Sequence, residues 1–198
     1  MGRTSDARER ILDSSRRLLR TRGYTALGVA QICDDAGVKK GSFYHFFDSK
    51  QALTIETVDE HWAEERRGLE AVLAGAGGPV ERLHALVECL VGTQRADHSE
   101  SGAMYGCLYG NLALELSGQE PEVRGRLAKV FDDQVAMVAR LIAEAQEEEL
   151  IGRGTSAQTL ARSMVAQIEG TVLLARVRND PTLLDEAWPS ARRLLAVA

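Results

Sequence analysis

Residues 38–50 read VKKGSFYHFFDSK: two lysines, a glycine and a serine run directly into Phe43, Tyr44, Phe46 and Phe47. Four aromatic rings thus fall within five positions of a chain in which aromatics make up only 5% of residues. The preceding stretch, VAQICDDAG at 29–37, places Val29, Ile32 and Ala36 at helical spacing and ends on Gly37. A short helix from about Leu27 to Asp35, a break at AGV and a second short helix from about Lys39 to His45 together make a helix-turn-helix candidate. Generic helical hairpins share that spacing, so the side chains must decide. Val29, Ile32, Ala36 and Val38 can pack the pair together, while Lys39, Lys40, Ser42, Tyr44 and His45 offer donors near the start and outer side of the second helix. A helix of this width enters the major groove of DNA, and its first backbone N–H groups add to lysine charge at a phosphate. Gly41 permits close approach to a backbone.

The aromatics themselves point inward. A reader of duplex DNA has no unstacked bases to grip, so Phe43, Phe46 and Phe47 are expected to pack a core. Tyr44 has two readings, structural and phosphate-facing. His45 alone reads as an ordinary surface or half-buried histidine, and its neighbours Lys39, Lys40 and Tyr44 place it near DNA. Arg16, Arg17 and Arg20 either flank a phosphate backbone or line a solvated helix face.

Outward from this stretch nearly every long segment has helical periodicity, and no segment combines β-branched enrichment with strict alternation. Ile11, Leu12, Ser15, Leu18 and Leu19 form one face of a first helix that Gly23 ends. Asp48, with Gln51 three positions on, is expected to cap a fourth helix that runs through Trp62 to the turn AGAGGP at 74–79. A fifth helix follows, then a polar loop at 98–102, a sixth helix over 103–117, and a long seventh from Pro121. An eighth is expected at about 156–179, and Asp180-Pro181 opens a ninth that Pro189 should kink.

The 198 residues carry a formal charge of −5, unevenly placed. Residues 1–50 hold ten Lys/Arg against six Asp/Glu, a net +4, and residues 51–198 hold fourteen against twenty-three, a net −9. A basic head therefore precedes an acidic body, and the local field governs attraction to phosphate. No apolar run approaches the roughly 20 residues of a membrane span and the N-terminus lacks a signal peptide's apolar core, so a cytoplasmic protein is expected. Cys33, Cys89 and Cys107 are spaced neither as a disulfide framework nor as a zinc site. His61 and Glu65 lie four apart without a third ligand, and Glu147, Glu148 and Glu149 diverge as consecutive residues must. No catalytic group, metal or cofactor is expected.

Gly23-Tyr24, the run VAQICDDAGVKKGSFYHFFDSKQAL and the Arg-rich helix before them resemble the DNA-binding domain of the tetracycline-repressor-like (TetR/AcrR) regulators over about residues 6–53. The resemblance implies an all-α, nine-helix fold with a helix-turn-helix DNA-binding domain at 1–50 and a helical effector-binding and dimerisation domain at 51–198. It implies that the third helix reads DNA through Lys39, Lys40, Gly41, Ser42, Tyr44 and His45, and that Lys50 touches a phosphate. Two departures stand out. Leu27 and Gly28 fall where a hydroxyl cap is usual, leaving Thr25 as the expected cap, and Lys39 replaces a common serine. The operator sequence cannot be carried over.

The resemblance also implies an effector cavity in the body, for which Trp62, Cys89, Met104, Cys107, Leu108, Asn111 and Ile168 offer a mostly apolar wall. Cys107 and Asn111, four apart on the expected sixth helix, would share a face. GCLYGNLALELS is similar to a subset of these regulators that includes some answering reactive small electrophiles, so Cys107 is either a structural thiol or a sensor. The last two helices carry Leu160, Met164, Val172, Leu183, Leu184, Trp188 and Leu195, which the resemblance assigns to a two-fold four-helix bundle and which read equally as intrachain core. The expected function is an effector-responsive transcriptional repressor, binding a near-palindromic operator as a homodimer. The alternatives are a cysteine-based electrophile or oxidation sensor and a helical small-molecule carrier without specific DNA binding.

Overall fold

The computed structural model describes residues 2–196 and their side chains from Asp6 onward; Met1, Val197 and Ala198, which the expected domain spans include, lie outside the described residues. Among the described residues the chain holds nine α-helices, one 3-10 turn and no strand. They are α1 (Gly2–Arg22), α2 (Val29–Ala36), α3 (Lys40–Phe46), α4 (Lys50–Leu73), α5 (Pro79–Ser101), α6 (Leu108–Leu116), α7 (Pro121–Glu147), α8 (Ala157–Arg178) and α9 (Ala187–Leu194). The all-helical expectation holds.

The chain divides into two compact units. The first comprises Met1–Glu65 with Leu108–Val130, and the second Arg66–Cys107 with Phe131–Ala198. In the first unit Ile11, Leu18 and Leu19 of α1, Ile32 of α2, Phe43 of α3 and Leu53 and Val58 of α4 are buried together with Leu112 and Leu116 of α6. In the second, Leu83, Val87 and Val91 of α5 and Val138, Leu141 and Ile142 of α7 are buried, as are Met164, Ile168 and Val172 of α8. In α5, α6 and α8 these buried positions recur every four residues, so each of these helices presents an apolar stripe to a core.

Several local expectations change. Gly28, not Thr25, is the N-cap of α2, and its N–H donates to the Gln31 side chain at 2.8 Å. Ser49, not Asp48, caps α4, its hydroxyl accepting from the Ala52 N–H at 3.0 Å. Gln51 is consequently free of capping and donates to Glu120 at 2.8 Å. α5 runs through the expected polar loop to Ser101, and Gly102 ends it in the left-handed region. α6 begins only at Leu108, because Gly106 adopts φ 77°, which a helix cannot continue. The segment before it is held instead by Gln94, which accepts from the Gly106 N–H at 3.1 Å and donates to its carbonyl at 3.3 Å. Asp180-Pro181 opens a 3-10 turn (Pro181–Glu186), with Asp180 accepting from the Thr182 N–H. Pro189 then lies in the first turn of α9, where no N–H is needed, so it starts that helix without kinking it.

Candidate nucleic-acid interface

The turn between α2 and α3 depends on Gly37, which adopts φ 63° and ψ 37° and thereby ends α2 with left-handed backbone. The Val38 N–H then donates to Cys33 O at 2.9 Å, and Lys39 takes the N-cap position of α3. Phe43 and Phe47 are fully buried and meet at 5.8 Å between ring centroids. Their burial fixes which side of α3 faces out: Lys39, Lys40, Gly41 and His45 are exposed, Tyr44 is 57% exposed, and Ser42 is half-buried at the edge. A Cβ at Gly41 would meet nothing within 4 Å, so no group of the protein itself requires a glycine there. Tyr44 rests edge-on against Phe43 at 5.2 Å with its ring outward, and His45 packs edge-on against Phe46.

Lys50 is differently placed. Its ammonium donates to Tyr24 O at 3.0 Å and Leu27 O at 2.8 Å and lies 3.8 Å from the Tyr24 ring centroid. Burial pushes its pKa down, with the charges of Glu115 and Glu120 acting in the opposite sense. Lys50 therefore braces the turn between α1 and α2 in this structure. Arg16 pairs with Glu64 and Asp13, and Arg17 pairs with Asp35, so both arginines are engaged within the chain.

The same turn is gripped from α6 by Glu115, a residue whose role no local sequence signal discloses, since its partners are about 90 positions away. Its carboxylate accepts from the Tyr24 N–H at 2.7 Å and the Thr25 N–H at 2.5 Å. A Cβ at Gly23, which adopts φ 79°, would lie 2.9 Å from Glu115 Oε2, so the glycine admits the carboxylate. Burial opposes the charge on Glu115, but the hydrogen bonds from Thr25 and Tyr24 and the nearby Lys50 outweigh it and hold the pKa below its ordinary value. A depressed folded-state pKa stabilises above the unfolded value and is lost as pH falls through the folded one. Glu115→Ala is thus expected to lower stability by about 1–3 kcal/mol near neutral pH, and urea titrations at successively lower pH should show the gap between variant and parent closing. A gap that does not change with pH would mean the carboxylate charge is not what holds the turn.

The expected effector wall is divided between the units. Trp62, Leu108 and Asn111 belong to the first, and Cys89, Met104, Cys107 and Ile168 to the second. Trp62, Met104, Leu108 and Ile168 are buried, Cys107 and Asn111 are half-buried, and Cys89 is exposed. Cys107 precedes α6 instead of lying on it, so it and Asn111 do not share a helix face. Within the first unit Trp62 meets Tyr109 edge-on at 6.1 Å, and the Tyr109 hydroxyl donates to Glu65 at 2.8 Å. Beside them His61 lies 5.6 Å from the Tyr109 ring, with its Nδ1 buried and unpartnered among the described residues. Burial, followed by the charges of Arg16 and Arg20, lowers the His61 pKa to about 4, and burial raises that of Glu65. A neutral imidazole with a free nitrogen beside two aromatic rings can hydrogen-bond a neutral guest. The i,i+4 pair His61 and Glu65 was visible in the sequence, but not the tyrosine that joins it.

Among the residues expected to dimerise, Met164, Val172, Leu184 and Leu195 are buried within the chain. Leu160 and Leu183 are half-buried, and Trp188 is half-buried and stacked on His84 at 4.7 Å. The large apolar side chains that α8 leaves exposed are Leu173, Leu174 and Val177. No group of three or more His, Cys, Asp or Glu arranged to hold a metal ion occurs among the described residues. Nor is any helix of the described residues long and apolar enough to cross a membrane.

Residues 11–57 match the family described as bacterial regulatory proteins, tetR family, and residues 79–191 match the tetracyclin repressor-like C-terminal domain. The transcriptional repressor DhaR of Mycobacterium sp. strain GP1 is 30% identical over 94% of this chain and 90% of its own length. The repressor NemR of Escherichia coli K12 is 26% identical over 96% of this chain and 94% of its own. The crystal structure of E. coli NemR in its reduced form superposes with a TM-score of 0.85 at 25% identity, covering 98% of each chain. A TetR regulatory protein from Rhodobacter sphaeroides gives the same TM-score and identity over 95% of this chain and 98% of that one. With its helix-turn-helix, its C-terminal helices and these relatives in agreement, the chain belongs to the TetR family of transcriptional regulators.

Proposed function

We propose that this regulator is an effector-released repressor that binds a near-palindromic operator as a homodimer, with residues 1–50 as its DNA-binding domain and 51–198 as its effector-binding and dimerisation domain. The observation that carries the reading is the outer face of α3, where Lys39, Lys40, Gly41, Tyr44 and His45 are exposed while Phe43 and Phe47 anchor the helix from behind. Lys50 reaches a phosphate only if its carbonyl bonds to Tyr24 and Leu27 are exchanged, so its contribution is bracing first. An effector must bind the DNA-incompetent state more tightly than the competent one to release the operator. Such a protein acts where the chromosome is, in the cytoplasm, and needs no catalytic group.

The test starts from an operator recovered by selection from a random duplex pool, with affinity read by fluorescence anisotropy over a salt series. Replacing Lys39 and Lys40 with alanine should weaken binding and make the log–log salt dependence shallower by about 1 for each phosphate left without its lysine. An unchanged slope would remove both lysines from the phosphate interface. A recovered pool without sequence or symmetry would favour the carrier reading. A bound effector that leaves operator affinity unchanged would end the release mechanism.

A second reading rests on Cys107, which is half-exposed and immediately precedes α6, and helix N-termini are surroundings that favour the nucleophilic thiolate. The likeness to NemR, crystallised in a form named reduced, supports an electrophile or oxidation response here. Cys107→Ser should then abolish that response while sparing operator affinity of the unmodified protein. A response retained in the serine variant excludes an essential thiol at that position.

A further inference from the structure

A cleft of about 240 Å³ lies in the second unit, among the end of α4, the start of α5 and the C-terminal part of α7. Leu73, Met137 and Leu141 form its apolar lining, and Arg82, Arg140, Glu70 and Glu144 supply its charge. None of these residues belongs to the expected effector wall. Arg82 is fixed on two sides: Nη1 donates to Leu73 O, the last residue of α4, at 3.0 Å, and Nη2 pairs with Glu144. Its Nε is buried and has no partner among the described residues. Glu70 is engaged by Arg66 at 2.8 Å, so both carboxylates of the cleft already have cationic partners. Arg140, exposed at the rim, makes no hydrogen bond or ion pair among the described residues.

The charge left uncompensated is therefore positive, and the donor left unsatisfied is a buried guanidinium N–H. Such a donor is costly to leave unmade, and a carboxylate is an apt partner for a guanidinium. Met137 adds a side chain able to adjust to an apolar body. We propose that this cleft binds a small amphipathic monoanion, a short-chain aliphatic carboxylate. Its carboxylate meets Arg140 and draws the buried Arg82 Nε–H toward it by a small turn of that side chain, and its chain lies on Leu73, Met137 and Leu141. The cleft holds about eight water volumes at ~30 Å³ each, so a ligand of about eight non-hydrogen atoms, such as hexanoate, matches it in size. The bound anion would join the end of α4 to α5 and α7 through Arg82. The proposal concerns binding alone and does not depend on the operator.

The experiment titrates the full-length protein with hexanoate, 1-hexanol and hexylammonium by calorimetry, and follows the arginine Nε–H resonances by ¹H–¹⁵N NMR. Hexanoate should bind at least about tenfold more tightly than the alcohol or the amine, and Arg140→Gln should weaken hexanoate about tenfold, or ~1.4 kcal/mol. One Nε–H resonance, absent from Arg82→Lys, should shift on adding hexanoate. Equal binding of hexanol, or an unchanged hexanoate affinity in Arg140→Gln, would make the cleft an apolar crevice and overturn the proposal. No heat and no Nε–H shift would mean that water alone satisfies Arg82, which overturns it equally. Should Arg82→Lys fail to fold, the parent and Arg140→Gln titrations decide the question by themselves.

Discussion

Phe43→Ala should lower the stability of the first unit by about 3–5 kcal/mol, the range for emptying a buried aromatic site. Phe43 is fully buried on α3, where it meets Phe47 at 5.8 Å and carries Tyr44 edge-on at 5.2 Å. Its removal leaves a cavity behind the reading helix and frees Tyr44 from its support. Against a total of about 5–15 kcal/mol for an ordinary domain, that loss is large, and urea denaturation followed by circular dichroism will register it. Phe46, half-buried beside His45, serves as the control and should cost clearly less. Operator affinity should fall in Phe43→Ala as well, because an α3 that no longer holds one orientation must be ordered before it can bind. A loss within about 1 kcal/mol, typical of an ordinary point substitution, would mean that Phe43 is not the anchor of α3. The aromatic cluster would then need another role.

The anchor was legible in the sequence because its logic is local. Three phenylalanines among lysines, on and just past a helix too short to have two apolar sides, leave one way to bury the rings; Phe43 and Phe47 follow it fully and Phe46 is half-buried. Helix existence was legible for the same reason, since each stripe repeats at helical spacing. What the sequence concealed was set by partners distant along the chain or by competition between adjacent residues. Asp48 and Ser49 are both capable caps, and only backbone geometry selects the serine. The start of α6 depends on Gly106 turning to positive φ, with Gln94 satisfying both of its backbone groups across 12 positions. Glu115 holds a turn from which it is separated by about 90 residues. Periodicity also cannot divide intrachain core from an interface between chains, because both are apolar. That is why the apolar set of the last helices included Met164 and Leu184, which are fully buried in their own chain, and omitted the exposed side chains of α8.

Those exposed side chains carry the second large effect. Leu173, Leu174 and Val177 are 46%, 61% and 76% exposed, all on α8, whose opposite side buries Ala161, Met164, Ile168, Val172 and Ala175 within the second unit. Single exposed leucines are ordinary, but three large apolar residues within five positions of one helix form an apolar strip of the kind that partner surfaces cover. A second copy of the same helix is the partner a two-fold regulator needs, and a two-fold contact meets every substitution twice. Leu174→Glu should therefore bring two like charges into a desolvated interface and yield a monomer in light scattering coupled to size-exclusion chromatography. Its helical circular dichroism should persist, because the position lies outside the intrachain core. Met164→Glu should instead unfold the unit, which separates loss of assembly from loss of fold. Two reading heads on one duplex bind with the second contact intramolecular, so a folded monomer should lose about 10²–10⁴-fold in operator affinity. A Leu174→Glu protein that stays dimeric would place the interface elsewhere. A monomer that keeps full affinity would show that one copy of α3 is sufficient for the operator, and the proposed two-fold repressor would fail with it.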